Sequence, residues 1–358
     1  MTFRAVKSLL FIFLLIPVSD HAISASLHDK GPGVTFSQVQ CEYLEIDWKK
    51  IYLEILDMGF HMLRLGAYWN RIEKKPDEFD FTELDWQIRK AKEKNIPILL
   101  TVGMKAPRWP EYFIPDWVLN ARKPRFGADV SEHEILRKNT LSFIKTVVDR
   151  YKGENIIHAW QVENEPFNRA GPHEWWISKD FLKTEIRLVK SRDPQKRPVV
   201  INTATYPSGF RRLLASLAYK KDPVDLTISL ADIPGFNIYT STGHRFLLTF
   251  DVCFRTSVTE CGRYFKRLYS IVEDSGKPFW VTELQAEPWE PGQLVHKGKE
   301  EAITCQPENF TQMYGELTSL GIKSILLWGV EYWYYRKNRY GDDSWLAAAS
   351  NILKKYKR

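Results

Sequence analysis

Two apolar runs in this sequence end on a carboxylate. One reads Trp160-Gln161-Val162-Glu163-Asn164-Glu165-Pro166, the other Trp280-Val281-Thr282-Glu283. A pair of carboxylates that can be brought to one bond has a definite chemistry, cleavage of a glycosidic link. One carboxyl must be protonated near neutral pH to assist the leaving oxygen, and the other must be ionised to attack the anomeric carbon or activate water. A gap of about 5 Å between them predicts retention of configuration, and about 6.5–9.5 Å predicts inversion. Other chemistries lack their residues. The eight histidines form no HxH or HExxH set, and His133-Glu134 lacks the second histidine, so no metal site is expected. No GxSxG elbow is present. The two-carboxylate reaction needs no cofactor.

Something must hold residues 165 and 283 together. Eight short apolar runs read as strands: Val34–Val39, Met62–Leu65, Ile98–Val102, Ile156–Val162, Pro198–Asn202, Gly235–Tyr239, Pro278–Thr282 and Ile322–Trp328. Helical periodicity fills the intervals. Leu84, Ile88 and Ala91 share a face, as do Leu136, Phe143, Ile144 and Val147 after a capping box expected at Ser131 and Glu134. Pro307 suits the first turn of a helix, and a last helix is expected from Ser344 to Leu353. Strands separated by helices make a parallel sheet. Eight such units in about 330 residues fit a single α/β domain, a (β/α)8 TIM barrel spanning 26–358. An open doubly wound sheet is the rival, and the Gly-rich turn it needs after the first strand is missing. The longest interruptions, Lys105–Val130, Phe167–Trp176, Thr240–Thr259 and Glu287–Cys305, all follow strands, which is the end of a barrel where active sites form.

The Asn-Glu-Pro after strand four and the Thr-Glu after strand seven, in that order, resemble glycoside hydrolase clan A. Gly59-Phe60-His61-Met62-Leu63-Arg64-Leu65, followed by Trp69 and Phe79-Asp80-Phe81, is similar to family 42 β-galactosidases, and Gln161-Val162-Glu163-Asn164-Glu165 to usage in families 35 and 42. There is likeness to families 5 and 39 as well, without a clean match to one. The resemblance implies a retaining barrel enzyme with Glu165 as acid/base and Glu283 as nucleophile. It implies that Asn164 bonds the sugar 2-hydroxyl and that Arg64 keeps the nucleophile ionised. Tyr239 would donate to Glu283, and Trp328 would floor the sugar site. Two positions depart from family 5, where a histidine is usual after strand three and two residues before the strand-six tyrosine. Here strand three leads into Gly103-Met104-Lys105-Ala106-Pro107-Arg108-Trp109, and position 237 is asparagine. Lys105, Arg108 or Trp109 is expected to fill the vacant role, and Trp109 is a candidate for substrate contact.

Several neighbours have two readings. Glu163, two residues before Glu165, would share its strand face and line the site or pair with a cation. Glu287 and Glu290 are expected to be solvated. Trp69, Trp109, Trp117, Trp175, Trp176, Trp289, Trp328 and Trp333 fall near the expected mouth, where flat rings suit sugars; each is also a packing candidate. The expected activity is hydrolysis of a β-linked oligo- or polysaccharide by double displacement. The alternatives are a glycan-binding protein on the same barrel with turnover lost, and a transglycosylase.

Composition agrees with a globular enzyme. The 358 residues are 44% hydrophobic and 27% charged, with a net charge of +7 spread along the chain apart from a short basic tail, Lys354, Lys355, Lys357 and Arg358. No nucleic-acid groove is expected from that distribution. Arg4 and Lys7 precede an apolar run, Leu9–Val18, too short to span a bilayer. Small residues follow at Ala22, Ser24 and Ala25, so residues 1–25 are expected to be a secretory signal, with an uncleaved anchor as the alternative. That places the protein outside the cell or in a periplasm, with no stable membrane insertion once the signal is removed and no assignment of oligomeric state. Four cysteines allow Cys253 with Cys261 and Cys41 with Cys305, or simply buried thiols.

Overall fold

The computed structural model describes residues 31–120, 123–208, 222–246 and 250–356. The expected signal segment lies outside them, as do Lys357 and Arg358 of the basic tail. Eight parallel strands close into a barrel: β1 (Gly33–Thr35), β2 (Leu63–Gly66), β3 (Ile98–Val102), β4 (Ile157–Val162), β5 (Val199–Ala204), β6 (Ile233–Ile238), β9 (Trp280–Gln285) and β10 (Ser324–Trp328). β10 pairs with β1, with Gly33 opposite Leu326, and so completes the ring. The additional strands β7 (Ser241–Phe246) and β8 (Phe250–Arg255) form an antiparallel hairpin between β6 and β9. It occupies the interruption expected at Thr240–Thr259.

The period of two along each strand builds the interior in layers. Met62, Leu99, Ala159, Val200, Ile233, Trp280 and Leu326 form one buried apolar cluster inside the ring. Two residues further along the same strands come Arg64, Thr101, Gln161, Asn202, Gly235, Thr282 and Trp328, all buried or glycine. The barrel is thus plugged below by hydrocarbon and floored above by polar groups. Gly235 is required in that layer, because a Cβ there would lie 2.7 Å from the Thr282 side chain and 3.0 Å from Asn202. The alternate strand residues, such as Leu63, Leu100, Val162, Ile201, Val281 and Leu327, face the helices in the main core.

Local chemistry sets the helix ends. Asp47 accepts from the Lys49 and Lys50 amides to start Trp48–Met58, which stops at Gly59 with φ +99°. Thr82–Glu93 and Pro307–Ser319 carry the expected faces, and Ser344–Lys354 closes the chain. Three expectations are corrected. The first strand is short, because the Ser37 side chain accepts from the Gln40 amide and turns 38–43 into a helix. The helix Glu134–Tyr151 is capped by His133, not Ser131; Ser131 lies in a 3-10 turn, bonded to Asp129 and near Ser178. β9 runs on to Gln285, so Glu283 lies within the strand and not beyond it. No disulfide joins the four cysteines, in keeping with the thiol alternative. Among the described residues no helix is long and apolar enough to cross a membrane.

Candidate active site

Arg64 is the centre of the site. It is fully buried at the mouth end of β2, and its guanidinium reaches β4, the turn after it and β9. Nε donates to Gln161 Oε1 at 2.7 Å, Nη2 to Asn164 Oδ1 at 2.7 Å, and Nη1 to Glu283 Oε1 at 2.6 Å. Each nitrogen of the fork therefore has a partner, which is the arrangement a planar guanidinium supports and an ammonium does not. The other oxygen of Glu283 accepts from the Tyr239 hydroxyl at 2.6 Å. Burial, followed by the Glu283 charge, pushes Tyr239 well above its ordinary value, so it remains a donor. The structure thus brings Arg64, Asn164, Tyr239 and Glu283 into one hydrogen-bonded set.

Glu165 adjoins this set in a different environment. Asn237 Nδ2 donates to its Oε1 at 2.6 Å, Asn168 Nδ2 to its Oε2 at 3.2 Å, and its amide donates to Asn202 Oδ1 at 2.8 Å. Among the described residues no cation pairs with its carboxylate directly. Burial first, then the nearby Glu283 charge, pushes its carboxyl up to about 7, against the lowering influence of Lys105 and Asn237. The two carboxylates so differ: one is matched to a guanidinium, the other is held near neutrality. Glu165 has φ +44° and Glu163 φ +60°, in the left-handed region that costs a non-glycine residue about 1–3 kcal/mol. The hydrogen bonds through Asn202, Asn237 and Asn168 are what hold the turn there.

Those positive angles also overturn the expected face-sharing of Glu163 and Glu165. β4 ends at Val162, so strand alternation no longer applies. Glu163 turns back and accepts from the amides of Met104 (2.9 Å) and Lys105 (2.6 Å) at the end of β3. Lys105, offered as one substitute for the missing histidine, is fully buried. Its ammonium donates to the carbonyls of Glu165 (2.8 Å) and Asn168 (3.1 Å) and lies 3.3 Å from Glu111. Arg108 pairs with both Glu287 and Glu331, and its guanidinium lies 4.0 Å over the Trp328 ring. One face of the expected sugar floor is therefore covered by a cation, and Trp328 is 8% exposed. Trp109 is 45% exposed on the same loop as Arg108.

Other expectations need revising. Glu287 and Glu290 are buried: the first binds Arg108, and the second accepts from the amides of Ile303 and Thr304. Most of the expected mouth tryptophans are packing. Trp69 stacks on Phe143, Trp333 stacks on Phe310 and donates to Ala286 O, and Trp175 is buried against Tyr112. Trp109 and Trp289 are the exposed ones, and Trp289, 43% exposed, lies edge-on to Tyr239 at 5.2 Å. The sequence analysis missed Asn202, Asn168 and Glu331. Asn202 carried a signal, a polar residue closing the apolar run of β5; the other two, in loop and helix, carried none. Among the described residues no group of three or more His, Cys, Asp or Glu side chains is placed to hold a metal ion.

Residues 41–183 match the family model described as Beta-galactosidase (Glyco_hydro_42). Beta-galactosidase BgaA of Clostridium cellulovorans is 26% identical over 126 residues, covering 33% of this chain and 19% of that protein. Endo-1,4-beta-xylanase 3 of Hypocrea jecorina is 23% identical over 146 residues, covering 39% and 38%. Xylanase 10B from Thermotoga petrophila superposes with a TM-score of 0.54 at 14% identity, over 94% of this chain and 97% of that one. The chain resembles glycoside hydrolase clan A. The matched segments span about a fifth and two fifths of the two curated relatives. The family-model match contains Arg64, Asn164 and Glu165 and ends before Tyr239 and Glu283. The second half of the site therefore rests on the geometry alone.

Proposed function

We propose that the chain is an O-glycoside hydrolase acting on a β-linked sugar by double displacement. The observation that carries this reading is the asymmetry of the two carboxylates. Glu283, bonded on both oxygens by Arg64 and Tyr239, is the nucleophile in this reading. Glu165, half-buried and raised to about 7, is the acid in this reading. In the first step Glu283 attacks the anomeric carbon, the glycosidic C–O bond breaks, and the Glu165 proton passes to the leaving oxygen. In the second step Glu165 takes a proton from water as the water oxygen displaces Glu283. Asn164, fixed by Arg64 and Asn202, is positioned to bond the 2-hydroxyl. Trp109 and Trp289, both exposed, would supply aromatic surface for the sugar.

The substrate reading follows the relatives' names, a β-galactoside or a xylan. Export is part of the proposal, supported by Arg4, Lys7 and the apolar run to Val18. The test is incubation of the chain with aryl β-galactosides and β-xylosides and with xylan, alongside Glu283→Gln and Glu165→Gln. Release by the wild type, abolished in Glu283→Gln, is expected. Glu165→Gln should release a burst of aglycone from an activated aryl glycoside, whose leaving group needs no proton, then stall at the glycosyl-enzyme for want of a base, and should release nothing from a poor leaving group. NMR of the first-formed anomer should show retention. Inversion, or undiminished activity in Glu283→Gln, would refute the mechanism. Binding of a glycan with no release would move the weight to the non-catalytic alternative.

A further inference from the structure

Behind the turn that carries Glu165 lies a second pair of carboxyls, which the proposed reaction does not use. Glu163 and Glu185 are both 0% exposed. Glu185 comes from the helix Lys179–Arg192 that follows β4. Both of its oxygens are buried and meet no N–H or O–H donor. Its side chain is in hydrogen-bonding contact with that of Glu163. Two carboxylates cannot remain ionised together in a site without water, because each charge is desolvated and repels the other. A single proton between them resolves the contact.

The surroundings say which side holds that proton. Glu163 already accepts two backbone N–H groups, one on each oxygen, and these favour its anion. Glu185 has none. The charged and titratable groups around the pair are Lys105 and Glu111 on the loop after β3, Tyr112 on the same loop, and Asp129 at its far end. Lys105 favours the Glu163 anion further, and the buried Tyr112 hydroxyl bonds to neither carboxyl. We infer that Glu163 and Glu185 share one proton at neutral pH, carried by Glu185, and that this bond positions the Glu163-Asn164-Glu165 turn. The carboxylate of Glu163 fills the space over Gly103, where a Cβ would collide with it. It thereby ties the end of β3, the end of β4 and the helix after β4 at one point. Glu185 and Glu163 are positioning residues acting through the turn; neither is given contact with substrate. The positioning role rests on the proposed glycosidase reading, and the proton itself does not.

The sign of the pH effect follows. Unfolded, both carboxyls ionise near the ordinary glutamate value. Folded, burial pushes Glu163 up to about 7 and Glu185 well above its ordinary value. The folded state then binds more protons above about pH 4.5, so the pair's contribution to stability falls as pH rises, and the released proton goes to solvent. The first experiment is infrared spectroscopy of the full chain at pH 7, wild type minus Glu185→Gln. A protonated-carboxyl C=O band present only in the wild type is expected. The second is Tm between pH 5 and 8. Glu185→Gln, whose amide keeps the donor but cannot titrate, should fall less steeply than the wild type by about 2 °C per pH unit. The third is kinetic: Glu185→Ala should lower kcat about tenfold with KM within twofold, and Glu185→Gln should restore it.

A wild-type spectrum without the band, or equal pH slopes in wild type and Glu185→Gln, would overturn the shared proton. Equal kcat in Glu185→Ala and wild type would overturn the positioning role. If Glu185→Gln fails to fold, the same difference spectrum taken against Glu185→Ala decides the same point. An inactive wild type with the band present would leave the proton standing and remove the glycosidase.

Discussion

Asn237 donates to Glu165, the proposed acid, and its removal gives a sharp test of how that carboxyl is tuned. Its amide is held from both ends. Oδ1 accepts from Thr282 Oγ1 at 2.6 Å and from Asn202 Nδ2 at 3.3 Å, which leaves Nδ2 to donate to Glu165 at 2.6 Å. That donor favours the ionised form of Glu165, opposing the burial that raises it. A hydrogen bond to a charged group contributes about 1.5–3 kcal/mol, and 1.36 kcal/mol is one pKa unit. Asn237→Ala should therefore raise Glu165 from about 7 by about one unit, allowing for water that refills part of the space. The acid is active when protonated, so the alkaline limb of kcat/KM moves to higher pH. With a value near 7, activity at pH 8 is about one tenth of that at pH 6; with a value near 8 it is about one half. The assay is kcat/KM across pH 5–9 on a β-glycoside with a poor leaving group, where proton donation matters most. An unmoved limb, or one displaced to lower pH, would refute the reasoning.

Two further outcomes follow from the same site. Arg64→Met leaves the buried Glu283 without its cation and should destabilise the fold by about 3–5 kcal/mol, read by urea denaturation; a loss under 1 kcal/mol would show the carboxylate finding other partners. Tyr239→Phe removes one charge-assisted bond from Glu283 and should lower kcat/KM about 10- to 150-fold with the circular dichroism spectrum unchanged, and a rate within twofold of wild type would contradict its placement against the nucleophile.

The barrel was legible because both-face burial gives each strand an unbroken apolar run, and because helical periodicity recurs between the runs. The site was legible where a polar residue follows or interrupts such a run: Asn164, Glu165 and Glu283 follow one, and Arg64 stands inside one. Three things were not. The hairpin β7–β8 pairs only with itself and packs beside the mouth, so no barrel periodicity marks it. The direction of Glu163 depends on positive φ at a non-glycine residue, which residue type does not announce. The tryptophans divide between core and mouth by tertiary packing: Trp69 and Trp289 are alike as residues, and only Phe143 against one and Tyr239 beside the other separates them. Arg108 over Trp328 belongs to the same class, a contact between residues 220 positions apart in sequence.

The ring is closed by its two ends in sequence. β1 is three residues long and is flanked by β2 and by β10, and the Ser37 amide just past it donates to Glu331, 294 residues away, at 2.6 Å. Until β10 arrives, β1 and β9 each present a row of unpaired backbone groups, an edge that invites pairing with other chains. So long a closure is slow, because nothing local repays it in advance. Glu331 also binds Arg108, so the seam and the mouth are completed by the same side chain. A variant weakened at Glu331 should therefore lose soluble yield during expression before it loses activity per folded molecule.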